Sequence, residues 1–88
     1  MKIKDYLTEE KWTQGAYYRD KDGNGIFPKG EAEKCCLMGA VFICYPVDDW
    51  QRIEGKIIPY TGPHVVDWND DPERTFSDVR DLVERLDI

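Results

Sequence analysis

Apolar residues recur at intervals of three and four most regularly near the end of the chain. Phe76, Val79, Leu82, Val83 and Leu86 make the single stripe of an amphipathic helix over 76–86. Thr75 stands just before it and Asp78 shortly after, so a hydroxyl and a carboxylate can satisfy free backbone amides reciprocally. A second helix is predicted over 31–44. Glu31 and Glu33 would occupy its first turn, where the helix dipole favours acids. Cys36, Leu37, Ala40, Val41, Ile43 and Cys44 make it apolar on more than one face, the pattern of a buried central helix, and Pro46 stops it. A shorter helix is predicted from Ile3 to Trp12, ended by Gln14-Gly15. Ala16 to Arg19 reads as extended, Asp22-Gly23-Asn24-Gly25 as a turn, and Ile26-Phe27 as a second apolar patch. Asp48 to Glu54 suggests one or two helical turns ending at Gly55. Lys56 to Tyr60 and His64 to Trp68 read as strands flanking a turn at Thr61-Gly62-Pro63. The expected architecture is one domain over 1–88, small and helix-dominated α+β. Its central helix 31–44 is packed by the C-terminal helix 76–86, beside a short N-terminal helix and one or two short β-hairpins.

Length sharpens that picture. A chain of 88 residues buries only roughly 60% of its unfolded surface, so its stability margin is thin. An apolar fraction of 41% with 12% aromatics still supplies one core and argues against a disordered segment. The net charge of −6 and pI near 4.6 disfavour direct binding to a phosphate backbone. They suit a protein partner with a basic surface. MKIKDYLTEE has no apolar core of signal-peptide length. The longest apolar run, Cys35 to Val47, is interrupted by Gly39 and Pro46 and is too short to span a bilayer. Three cysteines, two of them adjacent, make no disulfide framework. The expectation is a cytoplasmic protein that binds neither membrane nor nucleic acid directly.

Candidate chemistry lies in three places. In DKDGNGIFPKGE, residues 20–31, side-chain oxygens of Asp20, Asp22, Asn24 and Glu31 and the carbonyl of Ile26 fall at the spacing of an EF-hand calcium loop. Against calcium, the chain before Asp20 reads as extended where a helix is needed. Pro28 takes a position that usually carries a polar group, and no second loop pairs with it. A polar hairpin turn explains the same residues. Gln14, Cys36, His64 and Asn69 occur in the order of oxyanion donor, nucleophile, base and orienter in papain-like peptidases. Cys36, however, falls inside the predicted apolar helix, away from an N-terminus that would stabilise a thiolate, and reads as a small core residue. Cys35, Cys36, Cys44 and His64 could offer zinc ligands but contain no Cys-x-x-Cys pair. Trp68, Asn69, Asp70 and Arg74 could form a recognition patch. Their local reading is a turn before Pro72, with Arg74 bound to Asp70 or Asp71.

Trp12-Thr13-Gln14-Gly15, Cys36-Leu37-Met38-Gly39-Ala40, and Trp68-Asn69-Asp70 followed by Pro72, Arg74 and Thr75 together resemble an uncharacterised family of small bacterial and phage proteins, a domain of unknown function. The resemblance implies a small, helix-rich intracellular domain and no particular activity. The functional expectation is a non-enzymatic protein-interaction module of bacterial or phage origin, with no cofactor. The alternative is a calcium-binding module using loop 20–31, and the third reading is a cysteine-dependent enzyme.

Overall fold

Thr75 caps the last helix as its spacing requires. In a computed structural model that describes residues 1–27 and 29–88, the Thr75 hydroxyl accepts the Asp78 amide and the Asp78 carboxylate accepts the Thr75 amide. Helix α5 then runs Phe76–Leu86 with Val79, Leu82 and Val83 buried. The element order is α1 (Ile3–Tyr6), β1 (Tyr18–Arg19), β2 (Gly25–Ile26), β3 (Lys34–Cys35), α2 (Leu37–Cys44), α3 (Trp50–Thr61), α4 (Val65–Asp70) and α5. This is the helix-dominated α+β fold expected, built on one core cluster in which α2 and α5 both take part through Leu37, Val41, Val79 and Val83. The main neighbours of α2 are α1, α3 and α4, and those of α5 are α1 and α3.

Two helix boundaries differ from expectation. Helix α1 stops at Tyr6 and does not reach Trp12, because Leu7 turns extended to enter the core. The chain then makes a turn in which the Lys11 and Trp12 amides donate to the Thr8 carbonyl. The central helix begins at Leu37, not Glu31. Residues 34–35 are taken instead by a third strand, and the sheet order is β2-β1-β3. Tyr18 stands opposite Ile26 on one side and Cys35 on the other. Glu31 belongs to a separate 3-10 turn, Lys29–Glu31.

The predicted strands 56–60 and 64–68 are both helical. Helix α3 passes through Gly55 and Pro59, which together disfavour a helix by about 4 kcal/mol. Burying Ile53 and Ile57, at 1% and 0% exposure, returns roughly 1.5–3 kcal/mol each, so the tertiary term matches the local one. The helix ends at Gly62, whose φ of 83° is open to glycine and whose amide reaches the Ile58 carbonyl. In α4, Val65 and Asn69 lie one turn apart and both face inward. That spacing overrides the strand preference of Val65-Val66. Only one hairpin, β1–β2, forms among the described residues.

Helix α2 crosses the sheet at Gly39. A β-carbon there would lie 2.5 Å from the Tyr17 carbonyl oxygen and 3.0 Å from the Cys35 β-carbon. Alanine is the better helix former by about 0.5–1 kcal/mol. The clash nevertheless outweighs it, because Tyr17 O is backbone and already accepts the Cys36 amide at 3.1 Å. Gly39→Ala is therefore expected to destabilise by about 1–2 kcal/mol net. A raised urea midpoint for the variant would contradict this close approach.

Candidate functional site

The three segments that carry the family resemblance are distant in sequence and meet in space at Asn69, which is completely buried. Its Oδ1 accepts the Trp12 indole Nε1–H at 2.8 Å and the Leu37 amide at 3.0 Å. Its Nδ2 donates to the Thr13 carbonyl at 3.1 Å and to Asp70 Oδ1 at 2.9 Å. Two donors and two acceptor sites exhaust what an asparagine amide offers. Around it, Gln14 Nε2 donates to the carbonyls of Asn69 and Asp71, and the Gly15 amide donates to Asp70 Oδ1. Arg19 ties the hairpin to the same segment through Thr13 Oγ1, the Gln14 carbonyl and the Gly23 carbonyl. Thus residues 12–15, the start of α2 and the end of α4 form one hydrogen-bonded clasp. Among the described residues no buried side-chain nitrogen or oxygen lacks a partner.

This arrangement decides what each candidate residue can do. Gln14 and Asn69 spend their amides on backbone and on one another's segment, leaving no oxyanion donor and no orienter for an imidazole. Cys36 does stand at a helix N-terminus, contrary to the expectation that it falls inside the helix. It is the N-cap of α2, with its Sγ accepting the Gly39 amide at 3.3 Å. Burial raises the Cys36 thiol above its ordinary range, and the Gly39 and Met38 amides only partly offset this. Cys35 is pushed up to about 12, burial again being the main cause. His64 is exposed at the start of α4. A capped thiol at 1% exposure reacts only when the fold opens, so iodoacetamide should modify the half-buried Cys44 first. Alkylation of Cys36 faster than a free thiol at neutral pH would contradict that order.

Residues 20–24 are the turn of the β1–β2 hairpin. Asp20 Oδ1 accepts the amides of Asp22 and Asn24 at 2.9 and 3.0 Å, while the Asp20 amide donates to the Asn24 carbonyl. The Asn24 amide, followed by that of Asp22, holds the Asp20 carboxyl below its ordinary range. Asp22 is exposed, Ile26 lies in β2 and Glu31 is exposed beyond the hairpin. Pro28 lies outside the described residues. Among the described residues no three of His, Cys, Asp and Glu are grouped to hold a metal ion, the cysteines and His64 included. We expect millimolar calcium to leave the melting temperature unchanged. Micromolar binding abolished by Glu31→Gln would contradict the hairpin account.

Trp68 and Arg74 pack on one another, the guanidinium 4.0 Å from the ring centroid. Arg74 Nε donates to the Trp68 carbonyl. Its ion pair, at 3.7 Å, is with Asp78 and not with Asp70 or Asp71. Of the four residues in the suggested recognition patch, Asn69 is therefore internal, and Arg74 and Asp70 are largely committed to holding the clasp and the turn after α4.

A different surface was not legible as a site in the sequence. Tyr17, Tyr18, Phe27, Phe42 and Trp50 line an apolar groove of about 350 Å³. Phe42 and Trp50 pack with ring centroids 4.6 Å apart, and Tyr17 and Phe42 at 5.9 Å. Tyr17 remains 43% and Phe27 87% exposed. The available signal was the Tyr17-Tyr18 pair within the segment read as extended: consecutive side chains of an extended chain face opposite ways, so one of two adjacent aromatics is expected to point outward.

A family model matches residues 1–86, and the chain belongs to that family, DUF6197, a family of unknown function. Comparison with curated proteins and with solved structures returned no match. No helix among the described residues is long and apolar enough to cross a membrane.

Proposed function

We propose that this protein is a non-enzymatic protein-interaction module, bacterial or phage in origin, that engages another protein through the aromatic groove. The observation that carries this reading is the exposure of Tyr17 and Phe27 beside the packed rings of Phe42 and Trp50. Solvent-facing aromatic clusters of this kind mark surfaces that become buried on association. Gln14, Cys36 and Asn69, which could have suggested catalysis, act as hydrogen-bond partners within the fold, which supports a binding role. The three free cysteines suit a reducing compartment such as the cytoplasm.

The test is a photo-cross-linking side chain placed at Phe27 and, as control, at the exposed Tyr60, in cells that naturally make the protein. The expected result is one discrete protein adduct from position 27 and none from position 60. Tyr17→Ser should abolish the adduct while leaving the melting temperature near its original value. Absence of a position-27 adduct would sink the proposal.

A further inference from the structure

We infer that the groove takes a basic amphipathic segment of the partner, with an apolar side chain among the aromatic rings and a lysine or arginine against Glu54 and Asp67; this deepens the interaction reading and rests on it. The groove does not end at Phe42. A second hollow shares Tyr17 and Phe42 with the first and continues past His64 to Glu54 and Asp67. Glu54 projects from α3 and is half-buried, and Asp67 is exposed on α4. Among the described residues neither carboxylate is in an ion pair, whereas Asp49 and Asp78 each have one and Asp87 has two. The surface is therefore apolar at one end and carries uncompensated negative charge at the other. A complementary segment has an apolar face and a cationic end, which is the composition of a basic amphipathic helix or strand.

Charge disfavours the competing occupants. A second copy of this chain would bring its own net charge of −6 against the same acids. A nucleic acid would place phosphates there.

The probes are three synthetic peptides: an amphipathic leucine–lysine helix, its leucine–glutamate counterpart and a serine–lysine peptide without apolar residues. Amide shift mapping on the folded protein should show the leucine–lysine peptide binding. Changes should be confined to the neighbourhood of Tyr17, Trp50, Glu54 and Asp67, and the other two peptides should bind far more weakly. The Glu54→Lys/Asp67→Lys double variant should weaken the interaction about tenfold. Asp67 is exposed and Glu54 half-buried, so its melting temperature is measured as the folding control. Binding of the leucine–glutamate peptide with equal strength, shifts away from the groove, or undiminished binding by the double variant would overturn the inference. The cross-link separates the two levels. Without an adduct from position 27 the interaction reading itself fails. An adduct that persists undiminished in the double variant leaves that reading intact and removes only the basic segment.

Discussion

Asn69→Ala is expected to lower the unfolding free energy by about 3–5 kcal/mol, out of a total of ~4–13 kcal/mol for a domain of this size. Alanine leaves the Trp12 indole N–H and the Leu37 amide without the oxygen they share, and the Thr13 carbonyl without its donor. Each buried group stranded this way costs about 1–3 kcal/mol. The better helix propensity of alanine in α4 recovers only about 0.7 kcal/mol. Urea denaturation is the measurement. A shift of less than 1 kcal/mol would mean that water replaces the amide at no great penalty, and that the clasp is not what joins the three segments.

Leu37→Ala should cost about 3–4 kcal/mol, and Leu82→Ala somewhat less, about 2–3 kcal/mol. Leu37 has no exposed surface and Leu82 is 7% exposed. The first substitution opens a cavity in the middle of the core cluster, and the second opens one near its margin, where the surroundings collapse more easily. Both should reduce the denaturation midpoint with little change in slope. An unchanged midpoint for either would remove that leucine from the core.

The strongest periodicities in the sequence identified the elements correctly. The α5 stripe and the Thr75–Asp78 capping box were legible because amphipathic spacing and capping are local, and α5 obeys both. The apolar residues of the predicted helix 31–44 announced a buried helix, although it begins only at Leu37. Local chemistry misled where tertiary burial outweighed it. Gly55 read as a helix end and Lys56 to Tyr60 as a strand, yet Ile53 and Ile57 hold α3 together across Gly55 and Pro59. Glu31 and Glu33 read as first-turn acids, yet the chain there makes a 3-10 turn and a sheet edge, and Cys36 became the cap. The clasp was half legible. Its segments stood out as Trp-Thr-Gln-Gly, Cys-Leu-Met-Gly-Ala and Trp-Asn-Asp, but Trp12 and Asn69 are 57 positions apart. No local pattern reveals a hydrogen bond at that separation. The groove was illegible for the same reason, since its rings come from β1 and the residue before it, α2, the segment after β2 and the start of α3.

Belonging to a family of unknown function leaves the role of this chain to its own chemistry. Gln14 and Asn69, which looked catalytic in the sequence, are spent on holding residues 12–15, α2 and α4 together, and the interaction proposed above falls to the aromatic groove. The division of labour rests on the Trp12–Asn69 hydrogen bond, and a double-mutant cycle of Trp12→Phe with Asn69→Ala tests it most directly. Phenylalanine keeps a ring near Phe76, whose centroid is 6.3 Å from that of Trp12, while deleting the indole N–H. The clasp predicts a coupling of about 1–2 kcal/mol, because Trp12→Phe does less harm once Asn69 is already gone. Strict additivity of the two substitutions would contradict it.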